Sequence, residues 1–283
     1  MADLLARMDT QTALKLVKVV LPSITILDPA VGSGAFLVAA LKTLINVYYA
    51  VVGRAELGAS ADLQAWLRDI QKDHASVGYY IKRCIVTDNL YGVDIMEEAC
   101  EIAKLRLFLA MVASVRNVAD LEPLPNIDFN IIPGNSLVGL TRIDEQEFNS
   151  KQDDLFKPRY RDLVAEKNRE LANYRQTANT MGAAVNLRAL RDGIDAKIQF
   201  ANGVMNELLR DRFEALGVKF EQATWDAKKK ALGKPAKRRI EIADIAAQTP
   251  FHWGYVFDDI VQRRGGFDII LANPPWEVFD RAS

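Results

Sequence analysis

The stretch Phe267-Asp-Ile-Ile-Leu-Ala-Asn-Pro-Pro-Trp276 constrains the fold of this chain most tightly. Ile269 to Ala272 reads as a strand buried on both faces, as in a parallel sheet covered by helices. Neither Pro274 nor Pro275 can donate to a sheet ladder, so the chain must leave the sheet there. A polar amide, a rigid turn and an aromatic therefore project together from the carboxyl end of a strand, where open α/β sheets place their ligands. The Asn273 side-chain oxygen and the Pro274 carbonyl are both hydrogen-bond acceptors. Two acceptors side by side suit an –NH2 group, and Trp276 offers a flat face to a planar ring. The plainer reading is a proline-terminated strand with a surface Trp.

A second turn lies near the amino terminus. Leu5, Met8, Leu14, Val17 and Leu21 recur at helical spacing over residues 2–20, with Pro22 and Ser23 ending the helix. Ile24 to Leu27 is a short apolar strand. Asp28-Pro-Ala-Val-Gly-Ser-Gly34 follows, then an apolar helix from Ala35 to about Val52. Strand, glycine-bearing loop and helix together bring backbone N–H groups and a helix N-terminus to a ligand. Gly32 and Gly34 are expected to clear side chains from the path of a cofactor. The dinucleotide fingerprint would need glycine where Leu37 stands. Asp28 also suits a cationic ligand better than a pyrophosphate. The alternative is a tight turn with no ligand.

Residues 55–86 read as two helices, one carrying Leu57, Leu63, Trp66, Leu67 and Ile70. Leu90-Tyr-Gly-Val-Asp94 is a second strand ending in an acid, and a helix follows from Glu97 to about Val115. Asp94 is placed to take the two hydroxyls of a ribose, or to cap that helix, and the two roles can coexist. Ile127 to Ile132 is a third strand with Gly134-Asn-Ser136 at its end. Asn135 can donate and accept, which suits the edge of an adenine ring, although a loop Asn is ordinarily a turn former.

From about Thr141 to Gln248 the strand-like runs vanish. Ile194, Ile198, Ala201, Met205 and Leu208 share one helical face, and Leu163, Leu171, Tyr174 and Ala178 mark an earlier helix, with a turn near Gly182. This predicts a helical hairpin inserted in the sheet domain. The expected division is 1–140 for the first part of the α/β core, 141–248 for the insertion and 249–283 for the return to the core. Lys228–Lys230, Lys234 and Lys237–Arg239 form a basic cluster, either a solvated loop or a phosphate-contacting one.

Net charge is -1, so the chain is no polycation. No apolar run is expected to span a bilayer, and residues 1–20 carry too many charges for a signal peptide. Cys84 and Cys100 are the only cysteines, so no disulfide framework is expected and a reducing cytoplasm fits. With His74 and His252 the only histidines, no His/Cys metal site is expected.

Taken in order, Asp28-Pro-Ala-Val-Gly-Ser-Gly-Ala-Phe-Leu37, Tyr91-Gly-Val-Asp94, Gly134-Asn-Ser136 and Asn273-Pro-Pro-Trp276 resemble the amino-methyltransferases acting on DNA adenine. The match is to the N6-adenine methylases of type IIG and type I-like restriction–modification systems. Phe251-His-Trp253 and the Gly266-Phe-Asp-Ile-Ile run are also typical of that family. The resemblance implies a Rossmann-like, S-adenosylmethionine (AdoMet)-dependent sheet, partial here, in strand order 3-2-1-4. It implies that Asp28, Pro29, Ala30, Gly32 and Gly34 hold the methionine end of AdoMet. Asp94 with Ile95 would hold the ribose, and Asn135 or Ser136 would lie near the cofactor adenine. That third motif commonly has Asp where Asn135 stands. Asn273, Pro274, Pro275 and Trp276 would form the catalytic turn, with Trp in place of the more usual Tyr or Phe. The implied substrate is double-stranded DNA with the target adenine flipped out, and a restriction nuclease or specificity domain is the implied partner. The family continues beyond this turn, so the chain is expected to be a truncated core, inactive alone, with its fourth strand an unpaired edge. Two alternatives stand beside this reading. One is a protein glutamine-amide methyltransferase, which shares the Asn-Pro-Pro-aromatic turn. The other is an inactive methylase-like module for DNA binding or assembly.

Overall fold

The computed structural model describes residues 8–57, 60–74, 76–113, 124–152, 157–178, 184–222, 225–226, 231–232 and 236–273. Pro274, Pro275 and Trp276 lie outside the described residues, as do Lys228–Lys230, Lys234 and Gly182. The chain forms two compact units, one of residues 1–134 with 267–283 and one of residues 135–266.

The first unit is built on a parallel sheet. Its strands are β1 (Ile26–Asp28), β2 (Leu90–Asp94), β3 (Ile131–Pro133) and β8 (Ile269–Ile270), in the order β3-β2-β1-β8. Parallel neighbours need crossovers of a dozen residues or more, and helices supply them. They are α2 (Ala35–Glu56), α3 (Ala61–Asp73) and α4 (Val77–Cys84) between β1 and β2, and α5 (Glu97–Val112) between β2 and β3. The core joins Leu37, Leu41 and Leu44 of α2 to Leu63 and Leu67 of α3 and to Ala103, Leu107 and Met111 of α5.

Several local details depart from the sequence reading. The amino-terminal helix α1 (Thr10–Lys15) runs without a break into a π-helical turn at Leu16–Val20 and a last turn at Leu21–Ser23. Pro22 has no N–H to give, and the Leu21 N–H reaches back five residues to Leu16 O. Leu57 belongs to the end of α2, where it is 89% exposed, and not to the apolar face of α3. The third strand starts later than Ile127, because the Asn130 and Ile131 N–H groups both turn back to Ile127 O. Helix α2 has the length and apolar composition of a membrane span, contrary to the expectation. Its buried face, from Leu37 through Tyr48 to Ala55, instead packs within the core.

The largest departure concerns β8. It was expected to be buried on both faces, yet Ile269 is 42% and Ile270 63% exposed. Among the described residues β8 pairs only with β1, so it stands as the edge expected of the fourth strand.

In the second unit, α6 (Tyr160–Ala178) packs along α7 (Ala184–Ala215). Ile194, Ala201, Met205 and Leu208 are fully buried, and Lys197 bridges Glu166 and Glu170. This segment also holds four short strands that the sequence reading lacked. They are β4 (Phe220–Gln222), β5 (Trp225–Asp226), β6 (Ala231–Leu232) and β7 (Ala236–Arg238), in two antiparallel pairs, β4 with β7 and β5 with β6. The three described cations of the basic cluster are paired: Lys237 with Glu221, Arg238 with Asp244 and Arg239 with Glu214.

Candidate active site

The loop after β1 is held from three directions. The Val31 N–H donates to Val93 O at 3.0 Å, and the Gly34 N–H closes a turn on Val31 O at 2.8 Å. The Gly32 N–H donates to Asp94 Oδ2 at 2.8 Å, while the Met96 N–H donates to Asp94 Oδ1 at 3.0 Å. Met96, rather than Asp94, is the N-cap of α5. Asp94 therefore braces the loop and steadies the start of the helix at once. Each carboxylate oxygen can accept two hydrogen bonds, so each keeps the capacity for one more. Ile95, beside it, is 61% exposed.

From α5, Arg106 Nη1 donates to Ser33 O at 3.2 Å and to Ser33 Oγ at 3.0 Å. One helical turn earlier, Ala103 presses on Gly34. A Cβ built on Gly34 would lie 3.0 Å from Ala103 Cβ, and φ there is +77°. Glycine at 34 is therefore required by the approach of α5. Gly32 is different: its φ is +49°, and the nearest atom to an added Cβ is Ala30 O at 4.0 Å. The contact of Arg106 with Ser33 has no local signature in the sequence, because the two lie 73 positions apart.

Asp28 is fully buried at the end of β1. Its Oδ1 accepts from the Ala30 N–H at 3.1 Å, and its Oδ2, also buried, has no hydrogen-bond partner among the described residues. Burial pushes this carboxyl above its ordinary range, with the Asp94 charge adding to the rise and the Ala30 N–H opposing it. A buried carboxylate with one oxygen unsatisfied is a socket for a donor, and a cationic donor would offset its desolvation. Pro29 and Ala30 form the turn that follows.

β8 runs parallel to β1, with Ile26 opposite Ile269 and Leu27 opposite Ile270. The Leu271 N–H donates to Leu27 O at 2.8 Å. Asp28 and Leu271 thus leave the sheet at the same edge, with Asn273, exposed, two residues further on.

Asn135 and Ser136 belong to the second unit. Asn135 Oδ1 accepts from the Leu137 N–H at 3.1 Å, so its side chain shapes a turn. The Asn135 N–H donates to Thr249 O at 2.8 Å, and Ser136 O accepts from Trp253 Nε1 at 3.2 Å. The Phe251-His-Trp253 motif proves to be a buried support. Nδ1 of His252 accepts from the Leu140 N–H at 3.2 Å, which makes Nε2 the protonated nitrogen and a donor to Asn206 Oδ1 at 2.9 Å. Burial lowers the His252 pKa from 6.5 to about 4. Also unforeseen is Lys167, 1% exposed. It bonds Tyr255 O, Val256 O and, at 2.8 Å, Asp258 Oδ1.

A parallel sheet whose first strand ends in a buried acid, with a glycine-bearing turn braced by a second acid, defines an α/β protein with its ligand end at the carboxyl edge. Comparison with known proteins narrows that class. The chain belongs to the Eco57I restriction-modification methylase family, whose family model matches residues 88–282. A model of the MmeI DNA-methyltransferase domain matches residues 4–137. A Methanocaldococcus jannaschii protein described as a type II restriction enzyme and methyltransferase is 32% identical over 295 aligned positions. That alignment covers 90% of this chain and 22% of the relative, so the chain spans under a quarter of that protein's length.

Proposed function

We propose that this chain is the catalytic core of a DNA methyltransferase that methylates the N6 amino group of adenine with AdoMet. The observation that carries the reading is the parallel pairing of β1 with β8, which sends the Asp28 loop and the Asn273 turn out of one sheet edge. The fit of the cofactor rests on the unsatisfied Asp28 Oδ2, on the spare acceptor capacity of Asp94 and on the open space beside Gly32. Asp28 would face the cationic methionine end, Asp94 with Ile95 the ribose, and Asn135 or Ser136 the cofactor adenine.

AdoMet, when bound, supplies a methyl group activated by its sulfonium. The lone pair of adenine N6 is delocalised into the ring and is a poor nucleophile. The Asn273 side-chain oxygen and the Pro274 carbonyl would accept its two hydrogens, drawing the nitrogen toward tetrahedral geometry and freeing that lone pair. Positioning and electrostatics then do most of the work, and the surplus proton leaves without a strong general base. Pro275, whose ring fixes its own backbone angle, would keep the turn rigid. Extruding the base costs a few kcal/mol, of which stacking on Trp276 could return roughly 1–3 kcal/mol. The implied partners are double-stranded DNA and a nuclease or specificity domain, in the cytoplasm. Family membership favours DNA over a protein glutamine as acceptor.

Calorimetric titration with AdoMet tests the reading. The wild type should bind, and Asp94→Ala, which loses both the ribose acceptor and the loop brace, should bind at least about tenfold more weakly. A folded wild-type protein that does not bind AdoMet removes the proposal.

A further inference from the structure

The alignment of β8 with β1 decides where Asn273 stands, yet the apolar pattern of β8 sets it only weakly. Ile269 and Ile270 are identical residues, and both are exposed. Sliding the strand by one position would exchange one exposed isoleucine for another, and only Leu271, half-buried against the core, would change its setting. Register is ordinarily enforced by burial of one face, and here that control rests on Leu271 alone. A slip of one residue would move Asn273 by about 3.3 Å along the strand and turn it to the opposite face.

We propose that Asp268 is a positioning residue: by clamping Thr25, it sets the register of β8 against β1 and so aims Asn273 at the Asp28–Gly34 loop. The clamp joins residues 243 positions apart in the chain. Asp268 Oδ2 accepts from the Thr25 N–H at 2.8 Å and from Thr25 Oγ1 at 2.9 Å. In return the Asp268 N–H is shared between Thr25 O at 3.1 Å and Thr25 Oγ1 at 3.2 Å. The Thr25 hydroxyl thus donates to the Asp268 side chain and accepts from its backbone, a closed pairing that no neighbouring register can reproduce. Thr25 is 1% exposed, so its N–H would lose its partner out of reach of water if β8 slipped. One residue before the clamp, the Phe267 ring meets Tyr91 edge-on at 5.4 Å between centroids. Two residues after Ile269, the Leu271 N–H bonds Leu27 O, and this ladder bond reports the register directly.

The catalytic consequence of the clamp rests on the functional reading above, whereas its structural part does not. The test compares the wild-type chain with Asp268→Ala and Asp268→Asn, the latter keeping an oxygen able to accept both Thr25 bonds. Amide hydrogen exchange at Ile269 and Leu271 should quicken by about tenfold or more in Asp268→Ala. The Gly92 amide, bonded to Asn130 O across the sheet at 2.9 Å, should keep its protection. Asp268→Asn should behave as the wild type at all three. In methyl transfer from labelled AdoMet to DNA, with the implied specificity partner supplied, Asp268→Ala should lower kcat by about tenfold with KM for AdoMet within about twofold, and Asp268→Asn should restore it. Unchanged protection at Leu271 in Asp268→Ala overturns the proposal, as does an equal loss of protection at Gly92. A wild type that neither binds nor uses AdoMet removes the functional reading, and the exchange contrast still decides the register.

Discussion

Replacing each glycine of the loop after β1 with alanine should separate the two jobs that the loop performs. At Gly34 the alanine must hold φ near +77°, in the left-handed region, which costs an L-residue roughly 1–2 kcal/mol. Its methyl group would also meet Ala103 Cβ at 3.0 Å and Ala103 Cα at 3.1 Å. The Cα is backbone of a packed helix and cannot swing aside, so overpacking adds about 1–3 kcal/mol. Gly34→Ala should therefore destabilise the first unit by about 2–5 kcal/mol, a large share of the stability of a domain. Gly32→Ala pays only the backbone term, about 1–2 kcal/mol, because its methyl group enters open space. That space is where the cofactor is proposed to pass, so Gly32→Ala should weaken AdoMet binding beyond what its stability loss explains. Urea unfolding gives the first comparison and calorimetric titration the second. A Gly34→Ala protein as stable as Gly32→Ala would refute the claim that α5 closes onto the loop at that residue.

Two further predictions concern the buried polar groups of the second unit. Lys167→Met should cost about 3–5 kcal/mol in urea unfolding, because it leaves Asp258, 3% exposed, without its main counter-charge. A loss below about 1 kcal/mol would show that Asn168 and Arg263 suffice for Asp258. His252 should make stability pH-dependent. Its folded-state pKa lies below its ordinary value of 6.5, so as pH falls the unfolded chain takes up the proton first. The contribution is whole above about pH 6.5 and is lost as pH falls toward about 4, a difference of roughly 3 kcal/mol. Urea midpoints measured across that range should slope more steeply for the wild type than for His252→Gln, and parallel slopes would remove the effect.

The sheet was legible because its strands carry their punctuation with them. Asp28, Asp94 and Gly134 each follow an apolar run, and such runs ending in an acid or a glycine mark strand ends whatever the surrounding fold. The neighbour relation of the first and fourth sheet strands followed from the resemblance, and the hydrogen bond from Leu271 to Leu27 bears it out. What was not legible depends on partners distant in sequence. The exposure of Ile269 and Ile270 was missed because an apolar run suggests covered faces, and coverage is a property of neighbours. The clamp between Thr25 and Asp268 has no local signature. Lys167 sits in a helix rich in Arg and Glu, and spacing alone cannot tell a solvated lysine from a buried one. The strands between Phe220 and Arg238, two or three residues each, are too short for an alternating pattern to register.

The most direct test of the central claim is to incubate the protein, supplied with the specificity partner that the reading implies, with methyl-labelled AdoMet and DNA and to identify the modified base by mass spectrometry. The wild type should yield N6-methyladenine, and Asn273→Ala should not, while its calorimetric affinity for AdoMet stays within about twofold. N6-methyladenine formed equally well by Asn273→Ala, or label found in protein rather than DNA, would contradict the account.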